Sequence, residues 1–533
     1  MDAWTKMIET RDPIIMLMQQ VLSCQPEPPI DSAAPLSNAV AASAPADGID
    51  RIGRLPVEIL RYIVSRLPAK DAARTTVLSK RWRRMWRTVP LALIDAHVLP
   101  VPEIVACGVL PRGSTAAAAA PAPPPRGHTD SMSDALAAHP GPFRCVHLTR
   151  VNMDIDKHQA ELASWLELLG AKGVHELVLV NRTRNKDTDA RLPATLFRCA
   201  SLAKLYLGFW WFLDTAKLQR NAAFPYLQEV GLCSLVMKAR DLEFLQERCP
   251  VLEKLLIHRN RGPVCLRIQS HSLRCVQVCS SVVQEISVVH ASHLERLLLC
   301  DAGADGSLAK VKIGHAPKLR FLGLFVPEKH QLEIGSTIIK AGAKAGPNAI
   351  VPSVQMLAIQ VKLGSRVEAR MLPGLFRCFP NIKTLYVQSE NDDIKSWGPQ
   401  SVGTGKVNLK FWEEAGPTEC IQRHMKKVVL HDFRGKRREL DFLSFIAGRA
   451  QVLEKMEIVL ARGNSPSDRV DSKLRTHMAS AKWSNGGCEL MVSQNQADEY
   501  QKGTPWCYRR AFDLSNLDPF DISKCVDGKC LCH

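Results

Sequence analysis

One pattern of apolar and variable positions recurs along the chain: an apolar residue, two variable ones, an apolar residue, one variable, another apolar. It reads VHELVL at 174, SLAKLYL at 201, YLQEVGL at 226, VLEKLLI at 251, SLRCVQV at 272, HLERLLL at 293 and KLRFLGL at 318. Further copies are SVQMLAI at 353, NIKTLYV at 381, HMKKVVL at 424 and VLEKMEI at 452. The last two apolar residues of each copy straddle one variable position, which is the period of a strand, and the first apolar residue turns in from the preceding loop. Each copy therefore supplies one strand and a wedge of core that only a neighbouring copy can cover. The prediction is a stack of units with their strands parallel.

From Val174 through Leu202, Leu227, Leu252, Leu273, Leu294 and Leu319 the first apolar positions step by 28, 25, 25, 21, 21 and 25 residues, the spacing of leucine-rich repeats. The later steps loosen to 35, 28, 43 and 28 residues, so the solenoid is expected to be irregular. Helical stretches between strands share an ending, LFRCASL at 196, LQERCPVL at 245 and LFRCFPNI at 375, which assigns Cys199, Cys249 and Cys378 to the core as small hydrophobes. The variable residue between each apolar pair points to the other strand face, the concave one. Tyr206, Gly231, Gln277, Gly323 and Tyr386 are expected to line an available surface there. Tyr206, Trp210, Trp211 and Tyr386 are the candidate substrate contacts, with burial of the tryptophans against the next repeat as the competing reading.

Before the repeats, LPVEILRYIVSRLP at 55 to 68 predicts a short helix opened by Pro56 and broken at Pro68, with Ile59, Ile63 and Leu67 on one stripe. Asp71 and Ser79 are candidate caps for two more helices, the last carrying Trp82, Met85 and Trp86 on one face. A unit this small has little core, so a partner is expected to complete it. Proline-, alanine- and serine-rich stretches at 23 to 48 and 111 to 127 read as linkers. The resulting division is a disordered segment 1–48, a helical unit 49–95, a linker 96–142, repeats 143–405, a closing segment 406–490 and a tail 491–533. The fold class is α/β.

The motifs L-P-x-E-I-L at 55 and V-L-S-K-R-W-R-x-x-W at 77 resemble the F-box. HPGPFRCVHLTRV at 139, LPATLFRCASLAKLYL at 192 and HDFRGKRRELDFLSFIAGRAQVLEKMEIVL at 431 resemble plant F-box/leucine-rich-repeat proteins with a C-terminal FBD segment. The resemblance implies a substrate-recognition subunit of an SCF-type (Skp-cullin-F-box) ubiquitin ligase, non-catalytic, docked on a Skp-type adaptor and through it on a cullin scaffold, its repeats holding an unidentified protein substrate. Carried over by motif, the adaptor contacts are Leu55, Pro56, Ile59, Leu60, Ile63, Pro68, Val77, Leu78, Ser79, Lys80, Trp82 and Trp86, where Trp86 replaces a frequent leucine. Alternatives on the same surfaces are an adaptor-bound scaffold without degradation, or a sensor whose small molecule completes the substrate site.

Composition narrows this little further. The formal charge is +17, from 70 Lys and Arg against 53 Asp and Glu, but no basic run interleaves with aromatics as a base-stacking platform would. Residues 50 to 95 hold 11 Lys or Arg and 4 Asp or Glu, a local +7 that suits an acidic partner. No apolar run approaches the ~20 residues of a membrane span, and MDAWTKMIETRDPIIMLMQQVL lacks the order of a secretory signal, so residence in the cytosol or nucleus is expected. The 17 cysteines then read as reduced thiols, and the sequon Asn181-Arg182-Thr183 as chance. GTGK at 403 lacks the rest of a phosphate loop, and no catalytic motif or cofactor signature is present. Cys525, Cys530, Cys532 and His533 lack paired C-x2-C spacing, so no metal site is assigned.

Overall fold

The computed structural model describes residues 13–30, 51–98, 128–153, 156–182, 190–300, 308–339, 349–390, 407–461 apart from 415 and 417, 469–494, 508–520, 525–526 and 529–530. The linker 111–127, GTGK at 403–406, Cys532 and His533 lie outside them. The chain forms two compact units, one of residues 1–237 with 247–252 and one of 238–246 with 253–533.

In the first unit, β1 (Leu91–Ile94), β2 (Phe143–Leu148), β3 (Glu176–Val180), β4 (Lys204–Gly208) and β5 (Glu229–Cys233) lie side by side in that order. The pairs along β1 to β5 are parallel. The second unit contains β6 (Lys254–His258), β7 (Val264–Gln269), β8 (Cys275–Cys279), β9 (Val283–His290), β10 (Arg296–Cys300), β11 (Ala309–His315), β12 (Phe321–Phe325), β13 (His330–Ile334) and β14 (Thr337–Ile338). It continues with β15 (Met356–Val361), β16 (Thr384–Ser389), β17 (Lys427–Phe433), β18 (Lys455–Leu460) and β19 (Glu489–Gln494). Its main sheet runs β6-β8-β10-β12-β15-β16-β17-β18-β19, again parallel.

Every recurring copy forms one of these strands, and the register stacks like on like: Leu177 beside Leu205 beside Val230, Leu207 beside Leu232. The leading positions, from Val174 and Leu202 to Met425 and Leu453, are all buried, as are Cys199, Cys249 and Cys378. Burial pushes the Cys199 and Cys249 thiols up to about 12 and that of Cys378 to about 11, so they are inert apolar filler. Asn181 is buried too, its Oδ1 accepting the Met153 N–H at 2.8 Å, so the sequon asparagine has a structural role.

A second regularity sits seven residues past the leading apolar position. Phe209, Ser234, Arg259, Ser280 and Asp432 all have φ between 47° and 60°. Of these left-handed corners, Phe209, Ser234, Arg259 and Ser280 directly follow β4, β5, β6 and β8, while Asp432 precedes the last residue of β17, and three of the N–H groups continue the ladder: Phe209 to Cys233 O at 3.0 Å, Arg259 to Cys279 O at 2.9 Å and Ser280 to Cys300 O at 2.7 Å. Non-glycine residues pay about 1–2 kcal/mol there, and no residue type marks the position in the sequence.

Several boundaries differ from the sequence reading. β1 pairs with β2 across residues 95–142, so the last residues of the helical unit open the sheet. His128–Ala138 is helical inside the expected linker, and Pro13–Ser23 is a helix inside the expected disordered segment. The sheet closes on β19 beyond the 431–460 segment. A second sheet, β14-β13-β11-β9-β7, takes the place of helices between Val264 and Ile338, behind the two 21-residue repeats and the two that follow them. Its strands bury alternate residues, as Val264, Leu266 and Ile268 do in β7.

Two outcomes test this packing. Leu207→Asp puts an unpaired carboxylate between β3 and β5 and is expected to lower the Tm by on the order of 10 °C, or to unfold the unit, whereas Val452→Asp, at a half-exposed turn, is expected to leave the melt nearly unchanged. In the Arg366–Cys378 helix, burial pushes the Glu368 carboxyl from 4.5 up to about 7, against the Lys362 N–H that it accepts at 2.9 Å. Between those two values the folded chain holds more protons than the unfolded one, so Glu368 destabilises as pH rises through that window. Glu368→Gln is expected to raise the Tm more at pH 8 than at pH 5, and an equal effect at both would remove this account.

Candidate functional site

The helical unit is built as the motif required. Val57–Ser65, Ala69–Arg74 and Lys80–Trp86 are helices, with Pro56 and Pro68 immediately before the first two. Ser79 caps the third, its side chain accepting the Trp82 N–H at 3.4 Å. Asp71 does not cap; it lies in the first turn of the second helix and pairs with Arg74 at 3.0 Å. Arg81, which the sequence did not single out, donates to Gly53 O at 2.5 Å and Leu55 O at 2.7 Å, fixing the loop before the first helix.

The twelve carried-over residues divide by exposure. Leu60 and Trp82 are buried with Val64 and Met85 and form the unit's own core. Trp86 turns toward the strands, its ring edge-on to His139 at 4.7 Å. Leu55, Ile63 and Pro68 are half-buried. Val77 and Leu78 are 82% and 64% exposed, Ile59 46%, and Pro56, Ser79 and Lys80 are also open. Tyr62 at 57% and Ile52 at 58% extend the same exposed apolar set, and the motif comparison had missed both. Several large apolar residues left exposed on one small charged unit mark it as a candidate protein interface.

The expected open strand face is not open. Tyr206 is buried, lies across Gly231 so that a Cβ there would come within 2.2 Å of its ring, and donates to Glu229 Oε1 at 2.5 Å. Burial, reinforced by Glu229, holds its phenol well above the ordinary value. Trp210 is core, its indole N–H on Leu179 O at 3.0 Å, while Trp211 is half-buried under the Arg191 guanidinium at 5.5 Å. Gln277 and Tyr386 are buried as well. The reason is that the chain's own end segments cover this face. In the first unit Val21 sits over Gly208, and Ile30 packs with Ala92, Ile94 and Cys145. In the second unit residues 510–520 lie on β8, β10, β12 and β16.

Cys145, His147 and Glu176 bring three donor atoms within 4.8 Å, but both Sγ–H and imidazole bond the one carboxylate, at 3.4 and 2.8 Å, and burial drives the thiol strongly upward. That is a satisfied polar cluster under Ile30, not a thiolate poised for metal. A cavity of about 750 Å3 is lined by Val407, Leu409, Lys410, Lys436, Arg437 and Arg438, among others. Its basic wall is unlike the deep apolar pocket of a small-molecule sensor. Arg434, from the same basic run, is a clamp: it donates to Ser389 O and Asp432 O, both at 2.8 Å. No helix among the described residues is long and apolar enough to cross a membrane.

Comparison with known proteins agrees with this construction. The F-box domain model matches residues 52–93, the model described as "FBD-associated F-box protein At5g56370, LRR repeats" matches 162–387, and the FBD model matches 413–458. Among curated relatives, F-box/FBD/LRR-repeat protein At1g13570 of Arabidopsis thaliana is 25% identical over 435 residues, 80% of this chain and 93% of that one. F-box/LRR-repeat protein 13 of the same plant is 24% identical over 467 residues, again 80% and 93%. FBD-associated F-box protein At5g60610, also from Arabidopsis thaliana, is 22% identical over 431 residues, 77% and 100%. In the content and order of its domains the chain is an F-box/leucine-rich-repeat protein with a C-terminal FBD segment.

Proposed function

We propose that this protein is the substrate-recognition subunit of an SCF-type ubiquitin ligase, its F-box docking on a Skp-type adaptor while the repeat region holds a target protein. The observation that carries the reading is the outward apolar set Ile52, Ile59, Tyr62, Val77 and Leu78 on a unit whose own core is already filled by Leu60, Val64, Trp82 and Met85. These exposed side chains have no structural task inside the unit, and their position on the F-box motif supports adaptor contact. The surrounding +7 supports an acidic partner, by speeding encounter more than by deepening affinity. F-box proteins with such repeats are typically non-catalytic, and the role belongs to the cytosol or nucleus.

A pull-down of purified Skp-type adaptor by the full chain tests it. Val77→Asp with Leu78→Asp replaces two exposed apolar contacts by charges and is expected to weaken adaptor capture at least about a hundredfold, in line with the cost of losing central interface anchors, with an unchanged melting curve. Lys70→Ala, an exposed position on the Ala69–Arg74 helix outside the apolar set, is expected to leave capture within about twofold. Undiminished capture by the folded double variant would overturn the adaptor assignment.

A further inference from the structure

The face of the second unit that the repeats should offer to a target is taken up by a segment of the same chain, and the fit is that of a ligand in a site. Tyr508–Phe512 forms one short helical turn, and the chain then crosses the strands to Phe520. Arg296, at the start of β10, is only 1% exposed, and its guanidinium serves the segment's main chain. One terminal nitrogen donates to Ala511 O at 2.7 Å and Asp513 O at 3.0 Å, with Arg510 O at 3.5 Å, and the other to Asn516 O. Cys275 of β8 adds a donor to Ala511 O at 3.4 Å. At the far end the Tyr386 hydroxyl of β16 donates to Asp518 Oδ2 at 2.5 Å, with Lys427 Nζ 3.5 Å from that hydroxyl. Phe520 fills the space left by Gly323 and lies 5.2 Å from the Tyr386 ring; a Cβ at Gly323 would stand 2.8 Å from it.

These contacts separate into a part blind to sequence and a part that reads it. Arg296 and Cys275 address carbonyl oxygens, which any peptide presents in that conformation. The Tyr386 hydroxyl, backed by Lys427, which itself pairs with Glu457 at 3.4 Å, favours an acceptor such as a carboxylate, and the slot over Gly323 selects an aromatic ring two residues later. Between the anchors Leu517 is 75% exposed and contributes no specificity. An arginine buried this deeply is costly unless its donors find acceptors, so the face is shaped for a peptide rather than merely covered by one.

We propose that the strand face over β8 to β16 is a peptide-binding groove for segments of the form acidic–x–aromatic, and that Asp518-Pro519-Phe520 with the preceding turn occupies it as a tethered competitor. The proposal deepens the receptor reading and rests on it for the identity of the displacing partner, a target protein exposing such a segment. In the sequence 13 residues separate Gln494 of β19 from Tyr508, and a covalent link of that length sets the segment's effective concentration on the order of millimolar. A target must then bind tightly, or several contacts at once, to open the groove.

The test uses full-length protein and a fluorescent peptide with the sequence of residues 508–520. In the Asp518→Ala, Phe520→Ala chain the tether loses both specific anchors, and the labelled peptide is expected to bind at least tenfold more tightly than it does to the unaltered chain. The same peptide carrying the two alanines is expected not to compete, and Tyr386→Phe added to the variant chain to weaken binding severalfold. Equal binding to both chains, or binding to neither, overturns the proposal. Hydrogen exchange on the unaltered chain gives an independent reading if the variant melts early. Amides of 511–520 are expected to exchange at least tenfold faster than those of β10, and equal protection would mean that the segment is permanent core. Partner capture by the repeat region is scored separately, so a groove that binds its own peptide without any target would count against the receptor reading alone.

Discussion

The whole construction depends on the register of the parallel ladder. A repeat holds only two or three apolar side chains on its inner face and buries none of them alone, so each strand is stable only when its leucine pair lies beside the next pair. The observed registers do this without slippage across β3, β4 and β5, and a shift of one residue would put Tyr206 and Gly231 inward and the leucines outward. The left-handed corners at Phe209, Arg259 and Ser280 are tolerated because they follow their strands at the same point and pass an N–H to the neighbour. Local strain is accepted where it keeps the stack in phase.

The same constraint explains how the F-box is attached. Leu91, Ala92, Leu93 and Ile94 are all buried, and β1 binds β2 before the repeats proper begin. The helical unit is thereby the first layer of the stack, with Trp86 and His139 packed at the junction. A boundary drawn by composition at residue 95 cut through this layer, because an alanine- and proline-rich stretch separates β1 from β2 in sequence while the ladder joins them in space.

Legibility follows from the range of the interactions involved. The inner leucines were readable since their period is local and their environment identical in every repeat. The outer positions were not, since whether Tyr206, Gln277 or Tyr386 meets water depends on segments far away in sequence, such as Val21 over Gly208, Asp518 at 132 residues from Tyr386 and Ala511 at 236 residues from Cys275. In the F-box the motif identified the right helices but could not separate Ile59, which faces out, from Leu60, which faces in; adjacent residues on a helix differ by about 100° of rotation. The second sheet was in principle readable from the alternation in Val264, Leu266 and Ile268, but helical endings in the longer repeats suggested one pattern for all.

The two candidate surfaces also show why one is bare and the other clothed. Five large apolar residues among eleven basic ones can stay in water without causing aggregation, so Val77 and Leu78 can remain exposed. The outer strand face of the second unit has no such option: Leu298, Phe321, Ala358 and Val429 would stand open to water there if uncovered. Covering it with a segment of the same chain removes that hazard. The cover is held by a few directional contacts, chiefly Arg296 to carbonyl oxygens and Tyr386 to Asp518, in place of a continuous ladder of strand pairing. A cover fixed at a few points can be exchanged for another peptide that satisfies the same points, whereas a further strand in the ladder could not leave without unravelling its neighbours.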